Sequence, residues 1–214
     1  MEIKAEELAL AYIRQAGREQ LPDLNLNNKN LSKLPLEACK LTQLKKLYLS
    51  GNRLSTLPPE IGRLTQLEKL VLDLNPLERV PAEVFTLPRL QELWLGETGL
   101  EALPAGLLRC KQLKRLDIDH NQFSELPPEI QNLDQLEVLN LNDNQLRELP
   151  AEIGRLTQLQ KLFVQNNNLS ALPPEMSGLT QLQRLNLDGN PNLGLPAEIA
   201  ATKDAAKILG HYFG

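Results

Sequence analysis

Leucines fall along this chain in a fixed spacing that returns every 23 residues. The segment 41–61 reads LTQLKKLYLSGNRLSTLPPEI, with leucine or isoleucine at the first, fourth, seventh, ninth, fourteenth, seventeenth and twenty-first places. Asparagine stands at its twelfth place and proline at its eighteenth. Pro35, Pro58, Pro81, Pro104, Pro127, Pro150, Pro173 and Pro196 hold that register without a slip. The frames begin at Arg18, Leu41, Leu64, Leu87, Cys110, Leu133, Leu156 and Leu179, and all eight carry leucine at the seventh place. A fixed period of this length marks a solenoid, in which each repeat buries its apolar face only against its neighbours.

Within a frame, the seventh and ninth leucines (Leu47 and Leu49) alternate with period two, which predicts a short strand with one buried face. One strand per repeat predicts a parallel sheet. The Leu-Pro-Pro-Glu-Ile segment cannot continue that strand, because proline fixes φ and donates no ladder hydrogen bond. It predicts an outer turn of tight helical or irregular backbone. The outer arc is bulkier than the strands, so stacking predicts a right-handed coil with a concave sheet. The fold class is thus an α/β solenoid over residues 18–201. Helical caps are expected at 1–17 and 202–214, because the raw ends of a solenoid must be covered. Glu6–Ala16 reads as an amphipathic helix with Leu8, Tyr12 and Ile13 on one side and Gly17 as its stop. Thr202 is expected to cap a second helix through His211, presenting Ala206, Ile208, Leu209, Tyr212 and Phe213.

The pattern resembles the leucine-rich repeat family from about Arg18 to Ala201. The segment LPPEIGRLTQL (57–67) is most similar to the subclass found in Ras-pathway scaffolds, polarity scaffolds and the repeat half of Roco-type GTPases. That resemblance implies a horseshoe that binds a protein or peptide on its concave face, without catalysis. Two other readings stay open: a sensory or regulatory domain of a larger signalling enzyme such as a Roco-like GTPase, and a scaffold that self-associates. A chain ending at Gly214 fits a complete protein or one domain of a longer one.

The twelfth-place column, Asn52, Asn75, Asn121, Asn144, Asn167 and Asn190, reads as structural. A side-chain amide at the turn leaving each strand can both donate to and accept from the backbone of neighbouring coils, and losing it inside a core costs about 1–3 kcal/mol. Lys29 and Thr98 depart from the column; Lys29 stands at the end of the array, whereas Thr98 is internal.

Composition narrows the partner. The net charge of −4 lacks the basic excess that nucleic acid or an anionic membrane surface calls for. No apolar run is long enough to span a bilayer, and an N-terminus charged at Glu2, Lys4, Glu6 and Glu7 is no secretory signal. A cytoplasmic monomer is expected, with export by a route lacking a cleaved signal left open. Cys39 and Cys110 are the only cysteines and read as small apolar fillers, not as a bridge or a zinc site. No Gly-rich phosphate loop with a lysine is present, and no cofactor is implied. Cys110 with His120 is a poor nucleophile assembly, because Cys110 should point into the core. The recurrent glutamates Glu37, Glu60, Glu83, Glu129, Glu152, Glu175 and Glu198 read as a solvated convex face or a turn-capping device.

Binding residues are sought at the outward strand places. The eighth-place column is Asn25, Tyr48, Val71, Trp94, Asp117, Asn140, Phe163 and Asn186. Strands roughly 4.8 Å apart would make Tyr48, Val71 and Trp94 one apolar stripe, extended by Leu74. Exposed aromatics on a rigid sheet are typical anchors; the competing reading is that Trp94 shields a neighbour. Asp73, Glu97, Asp117, Asp119 and Asp143, with His120 among them, form an acidic group beside the stripe. They favour a partner with an apolar anchor and basic neighbours. Too few oxygens converge from Asp117 and Asp119 for calcium, and no metal is expected. At the sixth place Lys46, Lys69, Arg115, Lys161 and Arg184, with Glu92 between two of them, form a ladder that can balance itself. The stretch LWLGETGLEAL (93–103) keeps every inward leucine and changes its outward side, where Gly96 is expected to leave a notch beside Trp94.

Overall fold

The computed structural model describes residues 5–104 and 106–214. Contacts divide the chain into two units, Met1–Gly99 and Leu100–Gly214, with the boundary inside the stretch 93–103. In the first unit, helix α1 (Ala5–Arg18) precedes strands β1 (Asp23–Asn25), β2 (Lys46–Tyr48), β3 (Lys69–Val71) and β4 (Glu92–Trp94). All pair parallel in chain order with a constant register, Leu24↔Leu47↔Leu70↔Leu93. The second unit repeats the scheme with β5 (Arg115–Asp117), β6 (Val138–Asn140), β7 (Lys161–Phe163) and β8 (Arg184–Asn186), in the register Leu116↔Leu139↔Leu162↔Leu185. Each central leucine is buried. The period-two signal therefore yields three-residue strands whose inward side chain builds the core of each unit.

The eighteenth-place prolines end the apolar run as expected. Pro58, Pro81, Pro127, Pro150 and Pro173 are extended, and a 3-10 turn follows each: Pro59–Arg63, Ala82–Thr86, Pro128–Asn132, Ala151–Arg155 and Pro174–Gly178. Each turn buries its central aliphatic or methionine side chain, namely Ile61, Val84, Ile130, Ile153 and Met176, and Ala82–Thr86 buries Phe85 as well. Proline at or before such a start loses nothing, since the first N–H groups of a helix have no internal partner. Glu60, Glu83, Glu129, Glu152 and Glu175 all stand in the first turn of these segments.

Among the twelfth-place residues, Asn52, Asn75, Asn121, Asn144, Asn167 and Asn190 accept the N–H of Leu31, Leu54, Leu100, Phe123, Leu146 and Leu169 at 3.0–3.1 Å. Their amide nitrogens donate to the carbonyl three residues back, as Asn75 does to Leu72 at 2.8 Å. Asn75 donates also to Leu49 of the preceding repeat, at 2.9 Å. Buried backbone groups at the strand exits thereby find partners without water. Thr98, buried at 2% exposure, donates its hydroxyl to Leu95 O at 2.8 Å.

The caps differ from expectation in their details. Residues 1–4, with Glu2 and Lys4, lie outside the described residues. Helix α1 passes through Gly17 and ends at Arg18. Gly17 serves close approach, because a Cβ there would lie 3.1 Å from Leu41 Cδ2. The buried face is Ala9, Ile13 and Ala16, whereas Leu8 and Tyr12 are exposed. Lys29 Nζ sits 5.0 Å from the exposed Tyr12 ring. At the other end, α2 (Ala197–Ala200) is a single turn and α3 (Ala205–Phe213) is capped by Asp204, which accepts from Lys207 N at 3.0 Å. Thr202 is no cap; its hydroxyl donates to Ile199 O. Ala205 and Ile208 are buried and Ala206 is exposed, while the Tyr212 hydroxyl accepts from Leu172 N at 3.1 Å.

Candidate functional site

In the first unit the register places Tyr48, Val71 and Trp94 side by side. They do not form an open apolar stripe. Val71 is buried at 7% exposure, and Tyr48 and Trp94 are half-buried on either side of it. A short valine between two taller rings loses its water to them. Lys69 also lies over this surface: its Nζ is 4.7 Å from the Trp94 ring centroid and 2.8 Å from Glu92 Oε2. Trp94 Nε1 donates to that same carboxylate oxygen at 3.4 Å. The indole is thus held from one face and one edge by charged partners, which fixes its rotamer while leaving part of it accessible.

Asp73 Oδ1 accepts the N–H of Gly96 at 2.8 Å. Asn27 makes the same bond to Ser50 N, and in the second unit Asn142 makes it to Gln165 N, both at 2.8 Å. The tenth place is therefore a cap on the next strand's exit, and Asp73 fills a backbone role. Gly96 is buried beneath that carboxylate, so the notch expected there is occupied by Asp73. Leu74 and Glu97, by contrast, are exposed.

The eleventh place carries a feature the sequence reading missed. Asn28, Leu74, Glu97, His120, Asp143 and Asn166 have φ between 48° and 56°, and Gly51 and Gly189 have φ of 66° and 72°. Every repeat thus passes through the left-handed region there. The cause is an N–H that must reach the next coil, as Leu74 N does to Gly96 O and Asp143 N to Gln165 O. Asparagine, aspartate, histidine and glycine tolerate this backbone, and their recurrence at the eleventh place was the available signal.

In the second unit the strand face is polar. Asp117 is buried at 3% exposure, bonded to Arg115 at 3.0 Å and to Asn140 Nδ2 at 2.8 Å. It is a buried ion pair and no open ligand group, because Arg115 and Asn140 flank it on the sheet. Burial pushes its carboxyl above the ordinary range, helped by the Asp119 charge and opposed by Arg115 and Asn140. Asn186 is likewise buried, donating to Gln165 Oε1 at 2.8 Å. Phe163 is half-buried, with Arg184 5.7 Å from its ring. The exposed His120 ring has Nδ1 3.1 Å from Asp119 Oδ2 and Nε2 3.5 Å from Asp143 Oδ2. Asn166 donates to Asp143 Oδ1 at 2.7 Å, extending that chain along the eleventh column.

The thiols of Cys39 and Cys110 are buried and pushed by burial to about 11. At neutral pH each is protonated and enclosed. Among the described residues no group of three His, Cys, Asp or Glu side chains converges as a metal would need, and no helix is long and apolar enough to cross a membrane.

Family models match in three overlapping stretches. A leucine-rich repeat region covers residues 105–191, a leucine rich repeat covers 65–123, and two further copies cover 42–82. Together they run from 42 to 191. The chain is a leucine-rich repeat protein. No curated protein matches it. Among solved structures, a leucine-rich repeat protein of Leptospira interrogans is 30% identical with a TM-score of 0.70, over 83% of this chain and 52% of that one. The leucine-rich repeat domain of the type III effector XopL is 28% identical with a TM-score of 0.72, over 92% of this chain and 77% of that one. The plant peptide hormone receptor RGFR1, solved in complex with RGF2, is 33% identical with a TM-score of 0.64, over 74% of this chain and 26% of that one. This leucine-rich repeat protein thus spans about half the length of the Leptospira protein. Leucine-rich repeat domains are typical protein-interaction modules, generally without enzymatic activity, and their repeated strands offer an extended binding surface.

Proposed function

We propose that this leucine-rich repeat protein is a non-enzymatic, monomeric, cytoplasmic module that captures a protein or peptide on its strand-lined face. The observation that carries the reading is Trp94. The only tryptophan in the chain points outward from β4, half-buried and held by Lys69 and Glu92. A rigid, partly exposed indole loses little entropy on binding and is the commonest kind of interface anchor. The peptide bound by RGFR1 supports the choice of ligand class. The exposed Glu97, in the same unit as Trp94, favours a partner that sets a basic residue beside an apolar anchor. The resemblance to Ras-pathway and polarity scaffolds points the same way.

Panning a random peptide library against the intact chain, then measuring affinities for wild type and Trp94→Ala, tests this reading. Selected peptides should lose about 2 kcal/mol, roughly thirtyfold, on Trp94→Ala while the fold persists. Leu93→Ala is the control, because Leu93 is fully buried and its loss should cost about 2–5 kcal/mol of stability. Peptides that bind Trp94→Ala as tightly as wild type would remove the proposed site.

A further inference from the structure

Among the described residues Leu36 and Leu74 are the most exposed large apolar side chains, and of the two only Leu74 has positive φ. It stands at the eleventh place with φ 56°, and that backbone is imposed by the bond from its own N–H to Gly96 O at 2.9 Å. Leucine is poorly suited to the left-handed region, because its Cβ crowds the following carbonyl. The same place holds Asn28, Gly51, Glu97, His120, Asp143, Asn166 and Gly189 in other repeats, all but Glu97 residues that accept this conformation readily. The side chain gains little in return, since it is 50% exposed in a chain whose large apolar residues are almost all buried. Two separate penalties, an unfavourable backbone and an apolar group left in water, fall on one position. Strain of this kind persists where function selects the side chain. The next eleventh-place residue in the first unit is Glu97, whose side chain is exposed.

We propose that Leu74 is a partner-contacting residue at the rim of the strand face, and that its occupant is an extended segment of a protein carrying an aliphatic residue next to a lysine or arginine. This rests on the reading of the face as a peptide-binding surface and adds its specificity: the aliphatic group covers Leu74, and the cation answers Glu97.

The test is Leu74→Asn, which installs the residue that Asn28 and Asn166 already provide in this column. Its thermal midpoint should rise by about 2–4 °C. Of the peptides panned against the wild-type chain, those that depend on Trp94 should pair an aliphatic residue with Lys or Arg and bind Leu74→Asn about tenfold more weakly. A midpoint that falls would show that Leu74 packs for the fold, and the proposal fails. Trp94-dependent peptides that keep full affinity for Leu74→Asn would overturn it while leaving the peptide-binding reading intact. A wild-type chain that sediments as a dimer, with Leu74→Asn a monomer, would give the rim to a second copy and overturn it as well. If no selected peptide depends on Trp94, the underlying reading fails first.

Discussion

The Asp73 carboxylate accepts the backbone N–H of Gly96, 23 residues ahead, at 2.8 Å. A side chain that sequence alone assigns to an acidic recognition patch is thus one member of a column of exit caps, shared with Asn27 and Asn142. The bond needs an acceptor oxygen and no charge. Asp73→Asn should therefore leave stability nearly unchanged, while Asp73→Ala should cost about 0.5–1.5 kcal/mol, the usual net worth of one hydrogen bond. Urea unfolding of the two variants separates these outcomes; equal losses for both would mean the charge itself matters.

Asn75 is 1% exposed and bonded to Leu54 N, Leu49 O and Leu72 O. Alanine there strands several buried backbone groups at once, each worth about 1–3 kcal/mol when unsatisfied. Asn75→Ala should destabilise by about 3 kcal/mol or more, and Asn75→Asp by a comparable amount, because a carboxylate cannot donate to the carbonyls of Leu49, Leu72 and Asp73. Denaturant midpoints decide the matter, and a loss under about 1 kcal/mol would contradict the bonding described.

Asp117 gives the chain a pH signature. Burial raises its carboxyl above the ordinary 3.8 in the folded state, so folding favours its protonated form. The stability this contributes is complete below the unfolded value and is lost as pH rises through the folded value. Asp117→Asn removes the titration and keeps a side chain that can still meet Asn140. The midpoint of the variant relative to wild type should therefore increase between pH 4 and pH 7. Thermal melts across that range would show it, and a difference that shrinks with rising pH would reverse the assignment.

The C-terminal helix should depend on Asp204 and not on Thr202. Asp204→Ala removes the acceptor of Lys207 N and should cost about 1 kcal/mol. Thr202→Ala removes an exposed hydroxyl bond to Ile199 O and should cost clearly less. Circular dichroism melts of the two variants suffice as the check.

Much of this protein is legible without coordinates. A 23-residue period with leucine at the seventh and ninth places leaves one way to bury every leucine, and the prolines at the eighteenth place exclude the strand from the outer turn. The strand positions, the inward leucines, the outer turns and the bonding of the asparagine column all follow from that arithmetic. The sequence also set Trp94 and Leu74 apart, because an apolar residue at an outward place breaks the pattern.

Only the tertiary structure decided how outward residues behave. Val71 and Asp117 stand at the same eighth place as Trp94, yet both are buried, because exposure on a sheet depends on the height of side chains one coil away. Asp73 became a cap because the nearest N–H belongs to a residue 23 positions on. The left-handed backbone of Leu74 is likewise set by a carbonyl on the next coil. Helix α1 turned Ala9, Ile13 and Ala16 inward and Tyr12 outward, and Gly17 lets it approach Leu41. Local pattern fixes which side chains enter the core of a repeat; the neighbouring repeat fixes what the remaining ones do.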